Sequence, residues 1–397
     1  MSRLSYRSTI HSCYLGYVVQ AIVNNLPPLL FLTFQKELAL PVSQIGLLIT
    51  INFSTQILVD LLSARYVDRI GYRRCMVIAH LCCTVGLILL GILPRIIGYP
   101  GLVIAMMINA IGGGLLEVLV SPIVQASPST EKSSAMSMLH SFYCWGSVVV
   151  ILFSTLLFSL VGSSHWYYLP WFWAFVPMIN CVMFSLVPIA TLNEKGESLG
   201  LRQLFSLPLF WILALMMVCS GASELAMSQW ASMFAESGLK VSKTVGDLLG
   251  PCCFAFLMGL VRLFFGKKGD KLDLRLFISI SSLFCVASYL VTVFSPNPLV
   301  ALLGCALCGP SVALFWPGTF SLSASLCPRG GTVMFALLAF FGDIGCAFGP
   351  AVVSTVANIQ GTLRQGLLYA TIFPVLLCIL AFWGLKGNKK ARVSHGK

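Results

Sequence analysis

Charge is scarce in this chain. Asp, Glu, Lys and Arg make up 10% of its 397 residues, where an ordinary soluble domain carries roughly 25%. A water-covered globule is therefore excluded, because a polar surface cannot be built over a composition that is 58% hydrophobic. Long polar stretches are missing too. Residues 191–206, TLNEKGESLGLRQLFS, form the one substantial interruption, so there is no room for a soluble signalling domain, and a receptor or sensor finds no support. The apolar runs lack strict alternation and are twice a barrel strand's length, which excludes a transmembrane β-barrel. With no nucleophile–base pair and no phosphate-cradling loop, the chain does not read as an enzyme and implies no cofactor.

Cysteine is plentiful, at fifteen residues, but scattered through the apolar runs (Cys82, Cys83, Cys252, Cys253, Cys285), where it behaves as a small hydrophobe. Cys305 and Cys308 form a CxxC without companion ligands. Structural zinc needs four, so no metal is expected.

What remains is a series of apolar runs of about twenty residues, the length that crosses a bilayer core of roughly 30 Å as a helix. The runs are 12–34, 44–64, 75–94, 99–125, 135–161, 167–190, 208–235, 244–266, 274–294, 298–325, 331–356 and 366–385. The expected fold is all-α and polytopic, with the lipid bilayer as its surroundings. The first run is too long for a cleaved signal, carries Asn24, Asn25, Pro27 and Pro28, and lacks a small-residue cleavage site.

The formal net charge of +12 would suit nucleic acid were it not so unevenly placed. With the amino terminus inside, only Lys36, Arg95, Lys240, Lys243 and Arg364 of the 25 basic residues fall outside. That asymmetry is the positive-inside pattern, which predicts both termini in the cytoplasm. Nucleic acid is not a predicted partner. The expected setting is a bacterial cell membrane and the expected state a monomer.

Six runs precede the polar interruption and six follow it, predicting an N-terminal bundle (1–190), a cytoplasmic linker (191–206) and a C-terminal bundle (207–397). Faint internal similarity supports a repeat. EVLVSPIVQAS ends the fourth run and VALFWPGTFSLSAS the tenth, each with a proline; SARYVDRIGYRR and FFGKKGDKLDLR are short basic loops after the second and eighth. ARYVDRIGYRR resembles the signature loop of the major facilitator superfamily, with Asp68, Arg69, Gly71, Arg73 and Arg74 matching and Ala64 standing where the family usually has glycine. The resemblance implies two six-helix bundles enclosing a midplane solute site. It also implies that Asp68 caps a contact between the halves near a positive helix end, with Arg69, Gly71 and Arg73 in the same gating loop.

VVQAIVNNLPPLLFLTFQ, GGGLLEVLVSPIVQ and GASELAMSQWASMF are further similar to spans 1, 4 and 7 of the fucose–proton symporter family. Glu117 falls on that family's span-4 glutamate, and Glu224 with Trp230 fits its span-7 pattern. Pro28 stands where the span-1 acid would be.

Asp60, Glu117, Glu224 and Asp343 are the carboxylates placed within runs. A charge at a helix centre costs on the order of 3 kcal/mol on insertion scales, so each needs a reason. Packing against a neighbouring helix is the plain one. For Glu117 the three glycines at 112–114 admit a close neighbour, and a carboxyl that alternates between protonated and ionised would couple a proton to a solute. Glu224 is the equivalent group of the other half. His140 suits a relay near the cytoplasmic mouth. Asp60 and Asp343 are expected to pair with cytoplasmic basics or cap broken helices, and Arg262 to reach the interface or serve a gate.

Trp145, Trp230 and Trp316 lie within runs, whereas Trp166, Trp171 and Trp173 read as an interfacial belt. Beside Asn24, Asn25, Gln125 and Gln229, the mid-run indoles would stack on a sugar while amides bond its hydroxyls. With no Lys or Arg expected at mid-run, a strongly anionic solute is disfavoured. Helix breaks are expected at Pro27-Pro28, Pro122, Pro317 and Gly349-Pro350. The reading is a proton-coupled symporter of a small polar solute of the sugar class. The alternative is an exporter of amphipathic compounds by proton antiport, whose GxxxGPxxGG pattern is absent from the fifth run.

Overall fold

Backbone groups facing lipid must bond within their own segment, so the apolar runs have little choice but helix. A computed structural model describes residues 5–127, 132–190, 199, 201–268 and 273–384. Among them are twelve helices long and apolar enough to cross a membrane. These are α1 (Tyr6–Leu38), α2 (Val42–Ile70), α3 (Tyr72–Leu90), α4 (Tyr99–Ala126), α5 (Lys132–Val161) and α6 (Tyr168–Leu186). The second six are α7 (Pro208–Gly238), α8 (Lys243–Phe265), α9 (Leu274–Phe294), α10 (Pro298–Ser323), α11 (Gly331–Gln360) and α12 (Leu363–Phe382). No strand occurs among the described residues. With twelve such helices in succession, the start of α1 and the end of α12 lie on one side, called here the terminal end, and the α1–α2 turn lies at the far end.

Ends are set locally. Ala39, in the left-handed region at φ 52°, stops α1, and the Asp273 carboxylate starts α9 by accepting from the Arg275 and Leu276 amides. The expected basic loop after the second run is mostly helix: α2 runs on to Ile70, and only Gly71, at φ 93°, turns the chain into α3. A side chain there would be strained.

The three consecutive glycines of α4 each admit a different neighbour. A Cβ on Gly112 would strike Cys83 and Ala79 of α3; one on Gly113 would crowd Gln20 of α1; one on Gly114 would crowd Val59 and the Gln56 backbone of α2. The GGG run thus gathers three helices around the turn that precedes Glu117. In the second half, Gly345 and Gly349 do the same between α11 and the backbone of α7 at Val218 and Ala222.

Helix breaks differ in part from expectation. α1 passes unbroken through Pro27 and Pro28, α4 through Pro122 and α11 through Pro350, since packed neighbours hold a helix together across one lost bond. The expected break at Pro317 is present: α10 is interrupted at Ala313 and Leu314, where the proline has no N–H for the Ala313 carbonyl. Two further interruptions were not expected: α7 breaks after Ser228, and α8 carries a π-helical turn at Leu248–Cys252.

The repeat is visible in how arginines close the sixth crossing of each half. Arg73, at the start of α3, donates to the carbonyls of Phe184, Ser185 and Val187 at the end of α6. Arg275, at the start of α9, donates to Ala381 and Phe382 at the end of α12. Both satisfy orphan carbonyls at a negative helix end. Arg73 was expected in a gate; it is instead a staple inside one half.

Candidate functional site

The halves meet where α2 runs along α11 and α5 along α8, with α1 against the broken end of α7. At mid-depth they are joined by a chain of amides. Glu117 Oε2 accepts from Gln20 Nε2 at 3.1 Å; Gln20 also donates to Gln56 Oε1, and Gln56 to Asn24 Oδ1, both at 3.4 Å. The Asn24 carbonyl in turn accepts from Gln229 Nε2 of α7 at 3.1 Å. Four side-chain bonds therefore run from the carboxyl of one half to the first helix break of the other. Among the described residues Glu117 has no cationic partner.

Glu224 is treated differently. Its Oε2 lies 3.4 Å from Arg262 Nη2, and both side chains are largely withdrawn from solvent. Arg262 also donates to the Ala313 carbonyl, which the α10 break leaves free, and approaches Cys144 Sγ of the other half at 3.5 Å. The expectation that Arg262 reaches the membrane interface is overturned. A buried carboxylate needs a compensating charge, and the α10 break offers the guanidinium a second acceptor. The bundle interior therefore does hold a basic group, contrary to expectation.

Beside Glu224 is a void of about 20 Å³, lined also by Asn25, Tyr143, Ser147, Ser228 and Pro251 among others, about the room one water needs. Asn25 Nδ2 donates to Ser147 Oγ at 2.9 Å. His140 lies towards the terminal end, exposed, with its ring 5.4 Å from that of Tyr17. Tyr17 is bonded to Ser121 of α4.

The expected indoles divide. Trp230 is fully buried, donating to the Pro350 carbonyl and packing on Phe31; it holds α7 to α11 rather than facing the void. Trp145 meets Phe256 edge-on across the α5–α8 contact. Trp316 lies over Gly342 of α11, its indole N–H buried without a partner. The interfacial belt is corrected as well: Trp166 and Trp173 are buried and donate to Glu37 and Ser154. The side chains of Asp68 and Gln125 lie outside the described part, and Arg69 is exposed.

The far end is closed by contacts that were not anticipated. Asp247 of α8, 1% exposed, accepts from Ser232 at 2.5 Å and Thr155 of α5 at 3.4 Å, and pairs with Lys243 at 3.1 Å. Lys243 also donates to the Leu29 carbonyl of α1, and Lys36 of α1 pairs with Glu236 at 3.1 Å. Outside this seal lies a polar recess of about 370 Å³ bearing Lys36, Glu37, Glu236 and Lys243. Asp247 falls within the 244–266 run, and Lys243 precedes it by one helical turn; that i,i+4 pair was the available signal.

The fold is shared with solved transporters. The E. coli fucose:proton symporter is 16% identical at a TM-score of 0.65, covering 95% of this chain and 98% of that one. A D-xylose-proton symporter is 14% identical at a TM-score of 0.77, covering 96% and 97%. Membrane protein MosC of Rhizobium meliloti is 23% identical over 349 residues, 86% of this chain and 82% of its own length. A sequence profile described as Major Facilitator Superfamily matches residues 13–350. With two six-helix bundles meeting over a buried polar seam, this integral membrane protein belongs to the Major Facilitator Superfamily.

Proposed function

We propose that the protein moves a small neutral polar solute of the sugar class across a bacterial cell membrane by alternating access, coupled to the inward movement of a proton. The observation that carries this reading is the unequal provision for two acids at the centre. Glu224 has a guanidinium beside it, whereas Glu117 is bonded by an amide and joined through amides to the other half. Ionising Glu117 where it stands, without a cation, is costly, so gain or loss of its proton is tied to a rearrangement of the seam.

In this account the terminal end faces the cytoplasm, as the distribution of Lys and Arg suggests, and the monomer is the working unit. The similar folds of a fucose:proton and a D-xylose-proton symporter support the sugar class, as do the amides and hydroxyls around the void: Asn25, Tyr143, Ser147 and Ser228. Ligand sites are typically roughly 300–1,000 Å³, so the solute enters only as the α5–α8 and α2–α11 contacts part. Glu117 takes the coupling proton and Arg262 neutralises Glu224 while the halves rock. His140 and Tyr17 line the cytoplasmic exit.

The test has two stages. A thermal-shift screen against monosaccharides and amphipathic cations identifies the solute class, since stabilisation follows RT ln(1 + [L]/Kd). Then Glu117→Gln in proteoliposomes should exchange labelled solute yet fail to accumulate it under a pH gradient, because a site that cannot ionise cannot release its proton. Accumulation at the wild-type level by Glu117→Gln overturns the assignment, and loss in Glu224→Gln alone moves it to the other half. Stabilisation by amphipathic cations and not by sugars favours the exporter reading.

A further inference from the structure

A second pair of acids lies at the seam, away from the central void. Asp60 of α2 and Asp343 of α11 were each expected to find a cytoplasmic base or a helix end. Neither has an ion pair among the described residues. Instead their carboxyl groups come within hydrogen-bonding reach of each other, one from each half. Asp343 is 3% exposed, and Asp343 Oδ2 and Asp60 Oδ1 are buried with no partner. Two carboxylates this close cannot both be charged in a dry site.

The surroundings leave one way to satisfy the pair. α2 and α11 pack along each other; towards the far end Gly46 lies so close to Ser354 that a Cβ would overlap its hydroxyl, and towards the terminal end the contact is Asp60 on Asp343. The titratable groups facing the pair add no described positive charge. They are Glu117 from α4 and Cys346 from α11 itself, with Glu224 of α7 beyond those two. Arg364 of α12 is at the far end, and the side chains of Arg65 and Asp68 lie outside the description. On α2, Asn52, Gln56 and Asp60 recur at one-turn spacing, and Gln56 belongs to the amide chain reaching Glu117.

We propose that Asp60 and Asp343 form a proton-binding site that fastens the α2–α11 seam by sharing one proton. With that proton the pair carries one negative charge and a hydrogen bond between the halves. Its release to water at the terminal end leaves two carboxylates facing each other, and the seam parts there. The pair titrates as a unit. This goes beyond the coupling assigned to Glu117 and holds whatever the protein carries, so it is tested without solute.

Two measurements decide it. Infrared difference spectra across a pH titration should show one protonated carboxyl band per molecule lost in Asp60→Asn and equally in Asp343→Asn, and kept in Glu117→Gln. Spin labels at Leu62→Cys and Leu276→Cys, with the half-exposed cysteines Cys82, Cys181, Cys253, Cys327 and Cys378 changed to serine, report the spacing of the halves at the terminal end. In the otherwise wild-type protein it should lengthen as pH rises. In either Asn variant it should stay short at every pH, because an amide N–H donates permanently to the remaining carboxylate. Asp60→Asn and Asp343→Asn guard each other against a folding defect in one. A spacing that ignores pH, or Asn variants that open with the wild-type midpoint, overturns the proposal, as does finding that every band kept in Glu117→Gln also survives both Asp substitutions.

Discussion

The two ends of the seam between the halves are fastened by opposite means. At the far end, among the described residues, acid meets base: buried Asp247 lies against Lys243, and at the surface Lys36 reaches Glu236. Towards the terminal end the contact is one acid on another, Asp60 on Asp343. A pairing of opposite charges is strongest when both groups are ionised, whereas a pairing of acids needs a proton. Protons therefore act on the terminal end of the seam, and the far end has to be opened by other means. Between the two stands the Glu224–Arg262 pair, a compensated charge in the middle of the bundle.

The largest effect should come from breaking that middle pair. Arg262→Ala leaves Glu224 buried without a counter-charge, and breaking a buried pair from one side typically costs about 3–5 kcal/mol. We expect a marked fall in melting temperature, recovered in part by adding Glu224→Gln. If the single and double variants melt alike, the pair is not what holds Glu224.

Next comes Gly345→Ala, which separates packing within a half from packing across the seam. Its Cβ would meet the Val218 backbone, which cannot rotate away, so overpacking of about 1–3 kcal/mol is expected. Gly46→Ala would set its Cβ against Ser354 Cβ as well as the hydroxyl, and no rotamer of Ser354 moves its Cβ away. It should cost a similar amount and also push α2 and α11 apart, read by the same spin-label spacing.

A comparable loss is expected for Asp247→Asn. Removing the charge that serves Lys243, Ser232 and Thr155 costs about 1–3 kcal/mol and should expose the far end, measured as faster labelling of a cysteine at Thr155. Unchanged labelling would mean that Lys243 and the Leu29 carbonyl suffice for the seal. Lys36→Ala should do least. Its exposed ion pair is worth under about 1 kcal/mol, so far-end labelling should barely rise.

Much of this architecture is legible in the sequence because lipid leaves so few options. Twelve apolar runs become twelve helices, and Glu117 stands out as an acid beside three glycines. The errors have physical causes. Counting positions along the chain puts Arg262 at a helix end, yet the break in α10 gives it an inward acceptor that no linear pattern shows. Trp230 looks like a solute contact until Pro350 is seen to take its N–H. Pro317 does sit at a break, but packed neighbours carry the helices through Pro27, Pro28, Pro122 and Pro350. Gln20 and Gln56 were overlooked as uncharged residues, although an amide inside an apolar run needs partners as much as a carboxyl does. Asp60 and Asp343, 283 residues apart in the sequence, become a pair only when the halves are folded together.

The central claim is that Glu117 carries the coupling proton, and proton uptake on solute binding tests it most directly. A pH-sensitive dye in weakly buffered detergent solution follows protons as the monosaccharide found in the thermal-shift screen is added. The account predicts an uptake approaching one proton per wild-type molecule, absent in Glu117→Gln although that variant still binds. Equal uptake by both proteins, or none by the wild type at any pH where it binds, would contradict it.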